Sequence, residues 1–279
     1  MRDKRVDFFF VGPGKTASTW IYKVLKEHPQ FSLPSGKDIY FFDQFFERGE
    51  NWYHDQFTGC DFDKLVGEFS HDYLISSTAL GRIREYNPDA RIIVCLRNPY
   101  DRLQSGIRFL QRNGYGYAPV ERLVQRHPEL IEGGLYAKNL ARLYAFFPKE
   151  RVLLLFFEEL KFQPSAFIQR LYDFFCVEWH SPDVLQQKVN VASQPRSRVL
   201  ALTVKKAALV ARNMGLGRLV GRIKMSRVVA KILYRRAESE FSLTDEDKLF
   251  LSQWFDHDIR QLEKMLKADL SHWKVRKCP

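Results

Sequence analysis

A lysine, three hydroxyl side chains and two glycines crowd into one bend, "VGPGKTASTW", between a bulky apolar run (residues 6–11) and a helical pattern that begins at Ser18. The first N–H groups of a helix lack intrahelical partners, and the macrodipole favours negative charge there. Lys15, with Thr16, Ala17, Ser18, Thr19 and Trp20 behind it, therefore points to a bound phosphate or another tetrahedral anion. The bend is not a Walker loop. The pattern G-x-x-x-x-G-K-[ST] requires glycine where Phe9 stands. A second candidate anion site lies in "LRNPYDRLQSG", residues 96–106. Arg97 stands at the carboxyl end of an apolar run, and Ser105 follows eight residues later inside a helical pattern. A guanidinium offers bidentate geometry to a phosphate, and a nearby hydroxyl adds a further donor.

These residues need elements to position them. Residues 6–11, 67–74, 91–96 and 151–160 read as strands, the first, third and fourth of them bulky and apolar. Between them lie helical patterns at 18–27, 79–90, 134–148 and 165–177, with a further one after Arg97. Apolar strands alternating with helices predict an α/β fold: a P-loop-like three-layer sandwich whose central parallel sheet is flanked by helices. Such sheets place ligands at the carboxyl ends of their strands, which is where both motifs fall. The whole chain reads as one domain, with a core at 6–180, a basic helical extension at about 199–237 and a packing helix at about 243–270. Thr244 is the expected N-cap of that last helix, with Asp247 three positions on.

Bulk properties narrow the classes. The 279 residues are 45% hydrophobic and 28% charged, as in folded globular proteins, and no apolar run is long enough for a membrane span. The N-terminus lacks the apolar region and small-residue cleavage site of a signal peptide. The four cysteines have no metal-type spacing, and Cys95 and Cys176 sit in apolar runs and read as small core residues. A reducing, cytoplasmic setting follows. Of the formal net charge of +11, ten positive charges fall within residues 199–237, which contain no Asp or Glu. That segment reads as a solvated helical face, or as a surface attracted to an anionic membrane at the inner leaflet or to an acidic glycan. Nucleic acid is the weaker partner, because no binding module is present.

"LRNPYDRLQS" resembles the R-[ND]-P-x-[DE]-R-x-x-S segment of the sulfotransferases that use 3′-phosphoadenosine 5′-phosphosulfate (PAPS). The lysine bend is similar to their phosphosulfate loop, with Ala17 and Ser18 in place of its usual glycine and threonine. "GKDIYFFD" (36–43), "ENWYHDQF" (50–57) and "GEFSHDYL" (67–74) resemble segments of the glycan members, including heparan sulfate N- and 3-O-sulfotransferases. The resemblance spans roughly residues 6–180 and implies sulfuryl transfer by in-line displacement to a hydroxyl or amine of a glycan, lipid or small natural product, with no metal required. It implies Lys15 on the leaving oxygen, Arg97 and Ser105 on the 3′-phosphate, and Arg196 and Ser197 in "QPRSR" as further cofactor contacts. It puts Asp38 at the position of the glycan enzymes' catalytic glutamate, with Lys37 beside it, and it makes His71 a rival base. A P-loop-like small-molecule kinase and a non-enzymatic basic membrane- or nucleic-acid-binding protein are the alternatives at this point.

Overall fold

The computed structural model describes residues 5–186, 193–195, 203, 207, 234–236 and 241–275. In chain order the elements are β1 (Phe8–Gly12), α1 (Ser18–Glu27), β2 (Phe31–Ser32), α2 (Gly49–Asp55), β3 (Leu65–Phe69), α3 (Ser77–Tyr86), β4 (Arg91–Leu96), α4 (Pro99–Arg112), α5 (Val120–Arg126), α6 (Glu129–Glu132), α7 (Tyr136–Tyr144), β5 (Val152–Phe156), α8 (Phe157–Phe162), α9 (Pro164–Phe175), β6 (Ser193–Pro195), β7 (Tyr234–Arg236) and α10 (Asp245–Leu266). The main sheet runs in the order β2-β3-β1-β4-β5, and every pairing in it is parallel.

Two-residue alternation along the strands explains the three layers. Phe8 and Phe10 of β1, with Ile93 and Cys95 of β4, bury one face against Ile21 and Val24 of α1 and Phe167 and Leu171 of α9. Phe9 and Val11, with Ile92, Val94 and Leu96, bury the other face against α3, α4 and α7. Both faces of the central strands are covered, so these strands read as unbroken apolar runs. Gly67 sits opposite Phe8 in the β1–β3 register, and a Cβ there would lie 2.0 Å from the Phe8 ring. A side chain is excluded because the phenylalanine occupies its space.

Helix α10 shares the second core through Leu251, Phe255, Ile259 and Leu262. Its start is a capping box between Thr244 and Asp247. Asp258, buried on its inner face, accepts the N–H groups of Ala137 (2.9 Å) and Lys138 (3.1 Å) and so caps α7 from another helix. Ala137 and Lys138 belong to the first turn of α7, whose N–H groups lack intrahelical acceptors.

Several sequence expectations need correction. The strand read over 67–74 is β3, Leu65–Phe69, followed by a 3₁₀ turn at Tyr73–Ile75. The strand read over 151–160 ends at Phe156, and its acidic end, Glu158–Glu159, starts α8 where a helix dipole favours carboxylates. Cys176 is not a core residue: it is exposed at the left-handed C-cap of α9, one step beyond the buried Phe175. The basic extension is not helical throughout. Thr203 and Ala207 lie in helix, but Tyr234–Arg236 form a strand antiparallel to Ser193–Pro195. The rest of 199–237, together with Arg196 and Ser197, lies outside the described residues.

Candidate active site

The bend after β1 is a left-handed turn. Lys15 (φ 72°) and Ala17 (φ 67°) both occupy the left-handed region, an alternation that turns successive backbone N–H groups to one side, as in an anion nest. Ala17 is the N-cap of α1 and has no side-chain acceptor, so the helix start lacks the cap that serine or aspartate would give. Thr16 turns its hydroxyl inward to Pro13 O at 2.7 Å, which leaves its backbone N–H as what it can offer a ligand. Ser18 is nearly buried, Thr19 is half-buried, and Trp20 packs edge-on to Phe167 at 5.9 Å. Two glycines permit the bend. A Cβ on Gly12 would lie 2.0 Å from the carbonyl oxygen of His71, and one on Gly14 would lie 2.8 Å from the His71 ring.

Arg97 leaves the end of β4 and donates from Nη1 to the carbonyl of Lys15 at 3.2 Å. Its guanidinium lies 4.5 Å from the centre of the Phe157 ring, and Tyr136 donates to its carbonyl at 2.6 Å. Tyr136 is thus fully buried and acts on the arginine's backbone. The Nε of Arg97 is buried with no hydrogen-bond partner among the described residues. A buried donor without an acceptor is costly and suits a site that takes an anion. The adjoining Asn98 caps α4 by accepting from Tyr100 N and Asp101 N, with Pro99 at the first position of the helix. Ser105 is half-buried on α4. Phe109 stands one turn further along the same face, and Lys15 Nζ lies over its ring at 4.2 Å. The arginine and the serine-bearing helix therefore meet the lysine turn at one end of the sheet.

The rival bases are neighbours. His71 Nδ1 lies 3.0 Å from Asp38 Oδ1, and Asp38 is 5% exposed while His71 is 29% exposed. Lys37 Nζ donates to Ser18 Oγ at 3.0 Å and lies 3.4 Å from Asp38 Oδ1, tying this pair to the first turn of α1. His71 Nε2 is 3.5 Å from Asp72 Oδ1, and the Tyr40 hydroxyl sits 3.1 Å from each ring nitrogen. Burial raises the carboxyl of Asp72, opposed by His71. Asp43 is pushed up to about 6 by burial.

The loop carrying Asp38 is left-handed at Asp38 (φ 66°) and again at Tyr40 (φ 56°). Aspartate tolerates that region, whereas a tyrosine there has to be held by its surroundings. Asp38 N–H donates to Phe69 O at 2.6 Å, Tyr40 N–H to Ser70 Oγ at 3.0 Å and Phe42 N–H to Tyr73 OH at 3.3 Å. Phe41 and Phe42 then bury themselves, Phe41 stacking on Tyr53 at 4.5 Å. Beneath the loop lies Glu68, fully buried and lifted to about 7 by burial, against the pull of bonds from Ser70, Tyr53 and Tyr73.

Sequence reasoning missed Phe109 and Tyr40. The four-residue step from Ser105 to Phe109 on one helix face was a readable signal for the first. Nothing in "KDIYFFD" announces a tyrosine with positive φ.

A family model described as a sulfotransferase domain matches residues 5–207. Among curated proteins, heparan sulfate glucosamine 3-O-sulfotransferase 6 of Homo sapiens is 27% identical over 172 residues, covering 59% of this chain and 50% of that one. The membrane-associated sulfotransferase kil1 of Dictyostelium discoideum is 28% identical over 138 residues, 45% of this chain and 29% of its own. The chain thus spans half or less of the length of these relatives. A sulfotransferase crystal structure from Alicyclobacillus acidocaldarius shares the fold, with a TM-score of 0.70, 22% identity, and coverage of 96% of this chain and 98% of that one. Among the described residues, no helix is long and apolar enough to cross a membrane.

Proposed function

The chain belongs to the sulfotransferase-domain family, and on that premise we propose that it moves a sulfuryl group from PAPS to a hydroxyl, or to an amine, of a glycan, lipid or small natural-product acceptor. PAPS supplies the activated sulfuryl group. The observation that carries the reading is the meeting of two anion cradles and one proton acceptor. Arg97 is bonded to the Lys15 turn, and the Asp38–His71 pair is tied through Lys37 to Ser18 of the same turn.

The uncapped start of α1, with Thr16, Ala17, Ser18 and Thr19, offers backbone N–H groups to the 5′-phosphosulfate, and Trp20 walls the cradle. Lys15 sets its ammonium against the charge that gathers on the leaving oxygen. Arg97, with its unpartnered buried Nε, and Ser105 take the 3′-phosphate. Arg196 and Ser197 are assigned to the same nucleotide from sequence alone.

Asp38 and His71 act as one unit. The carboxylate is almost wholly buried and faces Nδ1, which fixes the tautomer with Nδ1–H toward Asp38 and the lone pair on Nε2. His71, the more exposed partner, accepts the acceptor's proton at Nε2. Asp38 and Asp72 then face the imidazolium that forms. A carboxylate acting alone is thereby replaced by a carboxylate-oriented histidine. The kinase alternative lacks its Walker glycine at Phe9, and Glu158, in the first turn of the helix after β5, accepts Asn98 N–H at 2.9 Å. The ten cations of 199–237 supply peripheral attraction to an anionic membrane surface, in a cytoplasmic setting.

Thermal unfolding with adenosine 3′,5′-bisphosphate (PAP) against ATP–Mg²⁺ tests the reading. At a hundredfold excess over its dissociation constant, PAP should stabilise the fold by about 2.7 kcal/mol. Stabilisation by ATP–Mg²⁺ alone, or by neither nucleotide, would overturn it.

A further inference from the structure

We propose that Glu68 is a positioning residue for the Asp38–His71 pair: its carboxylate aims the protons of Ser70 and Tyr73 inward, so that their oxygens receive the backbone N–H groups of the loop that carries Asp38. The inference rests on the reading of that pair as the proton acceptor.

Glu68 Oε1 accepts from Ser70 Oγ at 2.6 Å and from Tyr73 OH at 2.7 Å, while Oε2 accepts from Tyr53 OH at 2.7 Å. All four residues are buried, so no bulk water competes. A hydroxyl has one proton and two lone pairs. Once the protons of Ser70 and Tyr73 are committed to the carboxylate, only their lone pairs face outward. Those lone pairs meet Tyr40 N–H at 3.0 Å and Phe42 N–H at 3.3 Å, which are donors that require acceptors. The carboxylate thus sets the polarity of two bridges to the loop. Asp38 N–H, bonded to Phe69 O at the end of β3, is the third anchor. Between these anchors the chain passes twice through the left-handed region, at Asp38 and Tyr40. Such a backbone persists only where its surroundings over-determine it. Tyr40, fixed in this way, brings its hydroxyl to the His71 ring.

Glu68 touches none of Lys15, Asp38 or His71 in the hydrogen bonds it makes, so its effect must pass through Ser70, Tyr73 and the loop. Glu68→Gln keeps the shape and can direct its amide nitrogen toward Tyr53, away from the loop, leaving both bridges with the right polarity. Glu68→Ala removes the polarity altogether, and Ser70→Ala and Tyr73→Phe delete one bridge each.

The test compares these variants at pH 8 by the imidazole ¹⁵N shifts of His71, by calorimetric PAP binding and by PAP release from PAPS with water or heparan sulfate as acceptor. Ser70→Ala and Glu68→Ala should move the His71 shifts and lower kcat about tenfold, the scale of a small misplacement of a reacting group. PAP affinity should be unchanged, and Glu68→Gln should stay close to the parent chain. Placed in an Asp38→Asn background, Ser70→Ala should add no further loss, because the loop would then have no carboxylate left to aim. Tyr73→Phe provides the same comparison if Ser70→Ala fails to fold. Unmoved His71 shifts in the folded variants, or an equal loss with and without Asp38, would overturn the inference. Failure of the parent chain to bind PAP would instead sink the functional reading, and the ¹⁵N shifts would still decide the role of Glu68.

Discussion

The proposed nucleotide cradle and the proposed proton-accepting side of this site are built by different means. The cradle is local: a turn of six residues into an uncapped helix, and an arginine at the end of the neighbouring strand bonded directly to it. Its donors are the backbone N–H groups of the turn, the Lys15 ammonium, the Arg97 guanidinium and the Ser105 hydroxyl, carried by one turn, one strand end and the helix that follows it. The proton-accepting side is assembled across the chain. Asp38 sits on a left-handed loop, His71 follows β3, and the network beneath them draws on Tyr53, Glu68, Ser70 and Tyr73. The contrast teaches that affinity and turnover should separate by region, and that damage on the second side can enter from residues that never meet a substrate.

The largest effect should come from the pair. Asp38→Asn and His71→Gln should each lower turnover by about 10²–10⁴-fold, the range for a lost general base. PAP affinity should not change, and the double variant should be no worse than the weaker single one, because the two act as a unit. Additive losses would split the pair into independent residues. Arg97→Ala should break the other region and do so differently. Losing a charged hydrogen-bond donor costs about 1.5–3 kcal/mol, so PAP binding should weaken by about 10–100-fold while turnover at saturating PAPS is kept. Calorimetric titration with PAP checks this, and unchanged affinity would remove Arg97 from the cradle.

The same contrast explains how much could be read from sequence. Strands β1 and β4, helix α1 and the turn between β1 and α1 follow from apolar runs, glycines and a helix start within a few residues of one another. The positions of Arg97 after β4 and Ser105 on α4 follow from sequence, because one strand end and one helix fix them. The Asp38–His71 contact does not, because it depends on the loop after β2 bonding to the end of β3 and on two positive φ values that no composition signals. Instead, sequence left Asp38 and His71 as competitors, while 3.0 Å between them makes them partners. The boundary errors have a similar cause. Phe157 continues the apolar run of β5, but the edge strand stops where the sheet stops, and a helix with Glu158 and Glu159 in its first turn takes over. Tyr234–Arg236 is a strand only because Ser193–Pro195 is there to pair with it.

The smallest expected effect tests the buried network through stability alone. Burial lifts the Glu68 carboxyl from 4.5 to about 7, despite the hydroxyls that favour its ionised form. The folded chain therefore holds this proton to higher pH than the unfolded chain does. Its contribution is fully present below about 4.5 and is lost as pH rises through 7, an amount on the order of 3 kcal/mol for a group this deeply buried. Asp43, raised by burial to about 6, acts in the same direction. His28 acts against both: burial lowers its pKa, and its ring accepts Gln30 N–H at Nδ1, so protonation in acid costs stability. A single melting curve therefore mixes opposing slopes, and the informative quantity is the difference between the parent chain and Glu68→Gln at each pH. From pH 5 to pH 8 that difference should move against the parent by roughly 5–10 °C in Tm, given about 2–4 °C per kcal/mol for a chain of this size. A difference that moves the other way would mean that the three hydroxyls outweigh burial and that Glu68 is a strong acid inside its cage.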